Sequence, residues 1–165
     1  MKKAGDILYK AEAVVAGASF VTMVGVIAIN VLARFLLNKS FAWAEEISYM
    51  AFNWAVYFGI CLVYRSQGLI TIDALVDRLP PKAQKIVQVF TFALVGAANI
   101  ALVIWGMQLS IQAVARKTSM LQIPYFWIDI CIPIACAILA IYSFDNMVKV
   151  LQGKEVQAAS LEERS

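Results

Sequence analysis

The sequence contains no histidine, and charged residues make up only 15% of its 165 positions, against about 25% in an average soluble protein. The lack of histidine and the scarcity of acidic side chains exclude several classes of function. A haem or quinone anchor needs axial imidazoles, and a zinc hydrolase or a proton relay usually needs His, Asp or Glu side chains facing one another inside a helix bundle. The sequence therefore predicts that the chain is not an enzyme and holds no cofactor and no metal.

Cysteine is also scarce, and Cys61, Cys131 and Cys136 all lie within apolar stretches. Buried thiols behave as small apolar side chains, and residues five apart on a helix point about 140° apart. The exposed cysteine pairs that membrane disulfide oxidoreductases use are missing from the sequence. We interpret the three thiols as packing groups.

Apolar residues are abundant instead, at 62% of the chain with a mean hydropathy of +0.75. The stretch from Ala13 to Ala33 carries no charge over 21 residues, and about 20 helical residues cross the ~30 Å hydrocarbon layer. This stretch predicts a transmembrane helix. A cleaved signal peptide is the alternative, because Lys2 and Lys3 precede the stretch, but the apolar core of a signal peptide is only about 7 to 15 residues long.

Three more apolar stretches complete an all-α membrane protein with four transmembrane helices. The spans are predicted at about 13–35, 45–64, 86–112 and 125–147, in a single membrane domain over residues 1–151. Tyr125, Phe126 and Trp127 fit an aromatic belt at the start of the fourth span. The polar segment 152–165 is predicted to be a cytoplasmic tail, to which no function is assigned.

A shorter pattern lies between spans two and three. Ile72, Leu75, Val76 and Leu79 recur at helical spacing in a segment too short and too charged to cross a bilayer. The pattern predicts an amphipathic helix over about 69–79 that lies flat on the membrane surface. An irregular loop remains the alternative.

Basic residues orient the four spans. If the N-terminus is cytoplasmic, ten Lys and Arg residues fall inside and four fall outside, the four being Arg34, Lys39, Arg116 and Lys117. This agrees with the positive-inside rule and predicts a multi-pass protein of the bacterial inner membrane with both termini cytoplasmic. The net charge of +3 follows from the same bias and needs no nucleic-acid partner.

The main candidate for function is a charged and aromatic cluster where spans one and two meet. Arg34 ends the first span, while Trp43, Glu45 and Glu46 begin the second. Charges next to apolar segments snorkel or pair, and a carboxylate in the first turn of a helix also meets the positive end of the helix dipole. We expect Arg34 and Glu46 to hold the hairpin together and Trp43 and Glu45 to contact a second protein. An ion pair that serves the hairpin alone is the other interpretation.

Asp129 is a second candidate, because it precedes Pro133 by four residues. Proline cannot donate to the carbonyl of residue 129, so one helix turn presents a carboxylate and a free carbonyl. This arrangement suits a cation site or a polar contact with a partner. A boundary carboxylate solvated from outside, above a mild kink, is the alternative.

Span three carries small residues at Ala93, Ala97 and Ala101. Small residues four apart let two membrane helices approach closely. We expect this alanine face to pack within the bundle.

The order of these features resembles a known family. A first span that ends in Asn-Val-Leu-Ala-Arg-Phe (30–35) is followed by Phe-Ala-Trp-Ala-Glu-Glu (41–46) and an aromatic second span. Arg-Ser-Gln-Gly-Leu-Ile-Thr-Ile-Asp (65–73) comes next. Over about residues 6–153 the chain is similar to the small membrane subunit of TRAP (tripartite ATP-independent periplasmic) transporters. Arg65, Gly68 and Asp73 form the cytoplasmic motif of this resemblance, and Leu69 stands where many members have His.

The resemblance implies a division of labour between subunits. A large membrane subunit binds substrate and sodium ions and moves them by an elevator-like motion, a periplasmic binding protein delivers the substrate, and the small subunit braces the static part of the large one. The implied cargo is an organic acid anion. Two alternatives remain, a stand-alone small multidrug-type transporter and a membrane anchor subunit of an enzyme complex; the first needs an acidic residue deep in span one.

Overall fold

The computed structural model describes residues 2–65 and 80–152, and nearly all of this part is helical. Helix α1 (Lys2–Leu37) is followed by α2 (Ala42–Arg65), α3 (Pro81–Gln112) with a 3₁₀ turn at Ala113–Ala115, α4 (Phe126–Asp129) and α5 (Cys131–Leu151). Four segments are long and apolar enough to cross a membrane: 7–37, 42–65, 83–115 and 126–151. The predicted four-span all-α fold is confirmed. The predicted surface helix at 69–79, Gly68, Asp73 and the tail beyond 152 lie outside the described residues.

Helix α1 is longer than its uncharged stretch. It begins at Lys2 and runs for 36 residues, about 54 Å at 1.5 Å per residue. Ala11, Glu12 and Ala13 are good helix formers, so the helix continues through the charged segment at little cost. At the other end Asn38 adopts a positive φ of 49°, the left-handed conformation in which many helices terminate. The apolar pattern therefore locates the span but underestimates the helix.

The fourth span is broken. The short α4 ends at Asp129 and α5 starts at Cys131, whereas the sequence predicts one kinked helix from Tyr125. Pro133 falls in the first turn of α5, where a missing N–H breaks no helical hydrogen bond. The proline thus separates two helices instead of bending one.

The long helices pack in the order α1, α2, α5, α3. Helix α5 is the best buried, with 39% of its most apolar stretch inside the protein against 6% for α1. Between α1, α2 and α5, a cluster is formed by Ala16, Phe58 and Cys131. A second cluster joins α2 to α5 through Cys61, Tyr64, Ala135 and Leu139. Most of the apolar surface of α1 and α3 faces outward, as expected in a lipid bilayer.

The contact between α3 and α5 corrects one prediction. Ala93 and Ala97 are exposed, so the alanine face does not pack within this chain. A Cβ at Gly96 would lie 3.6 Å from Ser143 Cβ, and one at Gly106 would lie 3.4 Å from Pro133 Cδ. Helix α5 therefore packs on a glycine face of α3, because the absent side chains let the two backbones approach.

Candidate functional site

The turn between α1 and α2 is closed by a side-chain amide. Asn30 Oδ1 accepts a hydrogen bond from the backbone N–H of Phe41 at 2.9 Å. The Phe41 ring then packs near the Trp43 ring, with 5.7 Å between centroids. Asn30 and Phe41 therefore lie at the same level, and residues 31–37 of α1 extend about 10 Å beyond the start of α2.

The predicted pairing of Arg34 with Glu46 is wrong. Across residues 2–65 and 80–152, no ion pair involves Arg34, which is exposed on the extension of α1. The extension carries Arg34 past the level at which α2 begins, so a bond across the turn is made by Asn30 instead. Trp43 and Glu45, at the start of α2, are also exposed.

Glu46 holds a different part of the chain. Its Oε1 accepts the Met120 N–H at 2.8 Å, and its Oε2 accepts the Leu121 N–H at 2.9 Å. One carboxylate thus satisfies two successive backbone donors 74 and 75 residues away in the sequence. Helix α2 is fastened by this contact to the loop that precedes α4.

The loop over residues 116–124 is a small ordered hairpin. Lys117 and Pro124 form an antiparallel bridge, and the Thr118 N–H donates to Ile123 O at 2.9 Å. Gln122 takes a positive φ of 54° at the turn. Met120 remains 62% exposed, a large apolar side chain on an ordered tip. The loop therefore presents a preformed surface next to the start of α2.

Asp129 is partly buried near the positive charge of Arg116. A neighbouring guanidinium repels a second cation, which favours the boundary carboxylate over a cation site. Among the described residues, no group of three or more His, Cys, Asp or Glu side chains is arranged to hold a metal. Trp54 Nε1 donates to Trp127 O at 3.1 Å, so α4 is also tied to α2.

At the end of the bundle opposite the α1–α2 turn, a second polar cluster, here called the Glu12 cluster, joins three helices. Glu12 is 1% exposed, and its Oε1 accepts a hydrogen bond from the Tyr142 hydroxyl at 2.8 Å. Its Oε2 has no hydrogen-bond partner within the described part of the chain. The Arg65 guanidinium carbon lies 4.9 Å from the Tyr9 ring centroid and 5.9 Å from that of Tyr142. A carboxylate from α1 and a guanidinium from α2 thus meet around a tyrosine of α5.

Sequence reasoning missed Glu12 because the first span was predicted to begin at residue 13, directly after the charged N-terminal segment. The available signal was its spacing: Glu12 lies one helical turn before the buried Ala16 and three residues after Tyr9, on one face of α1. The Tyr64 hydroxyl and Ser143 Oγ, 2.6 Å apart, add a second buried hydrogen bond between α2 and α5 nearby.

Comparison with known proteins decides the family. A family model described as tripartite ATP-independent periplasmic transporters, DctQ component, matches residues 23–153. The chain belongs to this family. The DctQ component is part of a transporter and is not an enzyme. The matched range contains the α1–α2 turn, Glu46 and Arg65, and it begins after Tyr9 and Glu12.

Curated relatives agree with the DctQ assignment. One TRAP transporter small permease protein of Haemophilus influenzae is 29% identical over 91 residues, which are 55% of each chain. Another from the same organism is 32% identical over 63 residues, 38% of this chain and 39% of the relative. The sialic acid TRAP transporter permease protein SiaT of a second H. influenzae strain is 25% identical over 135 residues. That match covers 82% of this chain and 22% of SiaT. The chain thus spans about half the length of the first small permease.

Proposed function

We propose that this chain is the accessory, scaffolding subunit of a sodium-coupled secondary transporter that imports an organic acid anion. The observation that carries the proposal is that buried polar side chains form hydrogen bonds between helices. Glu12 bonds to Tyr142, and Tyr64 bonds to Ser143, so polar side chains fasten helices to one another. A carrier needs polar groups that line a pathway, whereas a brace needs polar groups that fix helices in place.

The proposed partners are a large membrane subunit and a periplasmic substrate-binding protein. SiaT supports the first, because the part of SiaT similar to this chain is 22% of a much longer permease. A segment similar to this chain therefore occurs joined to a larger protein. Trp43 and Glu45, exposed at the outer end of the hairpin, are the proposed contacts with the large subunit there.

Exposed basic residues support the periplasmic substrate-binding protein as the second partner. Arg34, Lys39, Arg116 and Lys117 are all exposed at the same end as the ordered loop. Such a basic surface suits an acidic docking face, and an ordered loop loses little conformational entropy on binding. Within the cytoplasmic motif, Arg65 belongs to the Glu12 cluster, and the roles of Gly68 and Asp73 stay predictions.

The proposed location is the bacterial inner membrane with both termini cytoplasmic. On a cysteine-free background, a cysteine at Lys39 or Lys117 should react in intact cells with a membrane-impermeant maleimide, whereas a cysteine at Lys82 should react only after lysis. The positive-inside bias is the physical reason. Labelling of Lys82→Cys alone would mean that the chain is inverted.

Reconstitution tests the function. The isolated chain in proteoliposomes should give no sodium-driven uptake of any organic acid, and uptake should require the co-purified large subunit together with the binding protein. Sodium-driven uptake by the isolated chain would overturn the accessory role. The matched control is the large subunit reconstituted without this chain, which should also be inactive or strongly impaired.

One observation favours the alternative of a stand-alone multidrug-type exporter. The sequence suggested that span one lacks an acidic residue, yet Glu12 is a buried carboxylate in α1. Its setting argues against such a role, because it lies at the inner end of the span, bonded to Tyr142 and within the field of Arg65. Efflux of a lipophilic cation by the isolated chain, abolished by Glu12→Gln, would establish the alternative.

A further inference from the structure

One stripe of α2 faces away from the other helices of the described residues. The buried residues of α2 point to the opposite side, towards α1 and α5, and they are Ala44, Ala51, Phe58, Cys61 and Tyr64. The outward stripe is apolar and aromatic: Tyr49, Phe52, Val56 and Ile60 are 38% to 54% exposed. Apolar exposure is ordinary for a membrane helix and by itself implies only lipid contact.

Asn53 borders this stripe and carries an amide. Its side chain is partly exposed, and Nδ2 donates to the carbonyl of Tyr49, one turn earlier, at 2.9 Å. Because a carbonyl can only accept, the amide orientation is fixed and Oδ1 points away from that bond. Within the described residues no donor bonds to Oδ1.

The depth of Asn53 makes this open acceptor costly. At 1.5 Å per residue, Asn53 lies about 12 Å along α2 from Glu45 and about 18 Å from Arg65. It is therefore well inside the hydrocarbon layer if those charges mark the two interfaces. Lipid tails offer no hydrogen-bond donor, so an acceptor at this depth is stabilised only by a polar group of a protein.

Burial distinguishes Asn53 from Asn99, the other span asparagine that bonds to its own helix. Asn99 makes the same bond to its own helix, to Val95 O at 2.8 Å, but it is 8% exposed, among the buried residues of α3. Thr22 is exposed on α1, and its one hydroxyl hydrogen is used by Ala18 O at 2.8 Å. Asn53, unlike Asn99, combines an open acceptor with a partly exposed side chain.

We propose that the α2 stripe around Asn53 docks a transmembrane helix of the large membrane subunit, and that this helix donates a hydrogen bond to Asn53 Oδ1. The proposal rests on the accessory role above and assigns that role a surface within the membrane. The occupant must be a protein segment at mid-membrane depth with a polar donor, which the periplasmic binding protein and lipid both fail to provide. Val56 and Ile60 supply the apolar surface on which such a helix packs.

The first test compares complexes purified from co-expression through a tag on this chain. Asn53→Leu should lower the recovered large subunit by about 3- to 20-fold under limiting expression, the range that one interhelical hydrogen bond in a membrane provides. The thermal midpoint of the isolated variant should match the wild type, because Asn53 bonds only within its own helix. Thr22→Val, which removes an exposed hydroxyl of α1 that lies outside the α2 stripe, is the matched control and should leave recovery unchanged.

The second test identifies the neighbour. A photo-cross-linking amino acid at Val56 should give an adduct with the large subunit, and one at Phe144, which is 64% exposed on α5, should not. An adduct between two copies of this chain at Val56, an adduct with the large subunit at Phe144 alone, or full recovery with Asn53→Leu would each overturn the docking surface. In all three cases a transport-active wild-type complex would leave the accessory role intact, whereas failure of the wild type to co-purify would remove both.

Discussion

The Tyr142→Phe substitution tests the Glu12 cluster by removing a single oxygen atom. The Tyr142 hydroxyl donates to Glu12 Oε1 at 2.8 Å, and it is also within hydrogen-bond reach of Arg65. Phenylalanine keeps the ring and its packing, so no cavity is formed in the helix interface. Glu12 is 1% exposed, so water cannot readily replace the lost donor.

The expected loss in the free energy of unfolding follows from the type of hydrogen bond removed. A hydrogen bond to a charged group contributes about 1.5 to 3 kcal/mol to the free energy of unfolding. A chain of this length loses about 2 to 4 °C in Tm per kcal/mol, so we expect Tyr142→Phe to lower the melting temperature in detergent by about 3 to 12 °C. Intrinsic fluorescence from the four tryptophans provides the measurement.

Two variants control this experiment. Tyr9→Phe keeps the ring beneath the Arg65 guanidinium, and its hydroxyl makes no hydrogen bond in the described structure, so the melting temperature should change by less than about 2 °C. In a Glu12→Gln background, Tyr142→Phe should cost at least about 1 kcal/mol less than in the wild type, because the charged acceptor is gone. Equal melting temperatures for the wild type and Tyr142→Phe, or additive effects of the two substitutions, would refute the proposed coupling.

Two further predictions concern the 116–124 loop and the glycine face of α3. Glu46→Ala should free the 116–124 loop and raise its rate of tryptic cleavage in purified protein by about tenfold or more, since the backbone N–H groups lose their acceptor. Glu45→Ala, which removes an exposed carboxylate with no bond to the loop, should leave the cleavage rate unchanged. Equal cleavage rates in the two variants would contradict the contact between Glu46 and the loop. Gly106→Leu should lower the free energy of unfolding by about 1 to 3 kcal/mol, because the new side chain meets Pro133. Gly25→Leu, where a Cβ meets nothing within 4 Å, should be nearly neutral by thermal unfolding.

Some features were predictable because they depend on short stretches of sequence. The transfer of a helix into a bilayer is nearly additive over about 20 residues, so uncharged stretches such as 13–33 locate the spans without knowledge of their neighbours. The break near Pro133 was foreseen as a kink for the same reason, since proline acts on the turn that precedes it. The family resemblance likewise rested on contiguous residues, including Arg34 and the Trp-Ala-Glu-Glu element, and the family match confirmed it.

Contacts between distant residues were decided by the tertiary structure. The partner of Glu46 is a loop 74 residues away, and that of Glu12 is a tyrosine 130 residues away, so neither bond follows from local spacing. Arg34 failed to pair because α1 continues past the level of Phe41, a length that hydropathy does not measure. The sequence by itself determined how many helices cross the membrane and the family to which they belong. The tertiary structure decided which helix faces meet, because at 3.6 residues per turn each helix offers several faces and only the packed neighbours select one.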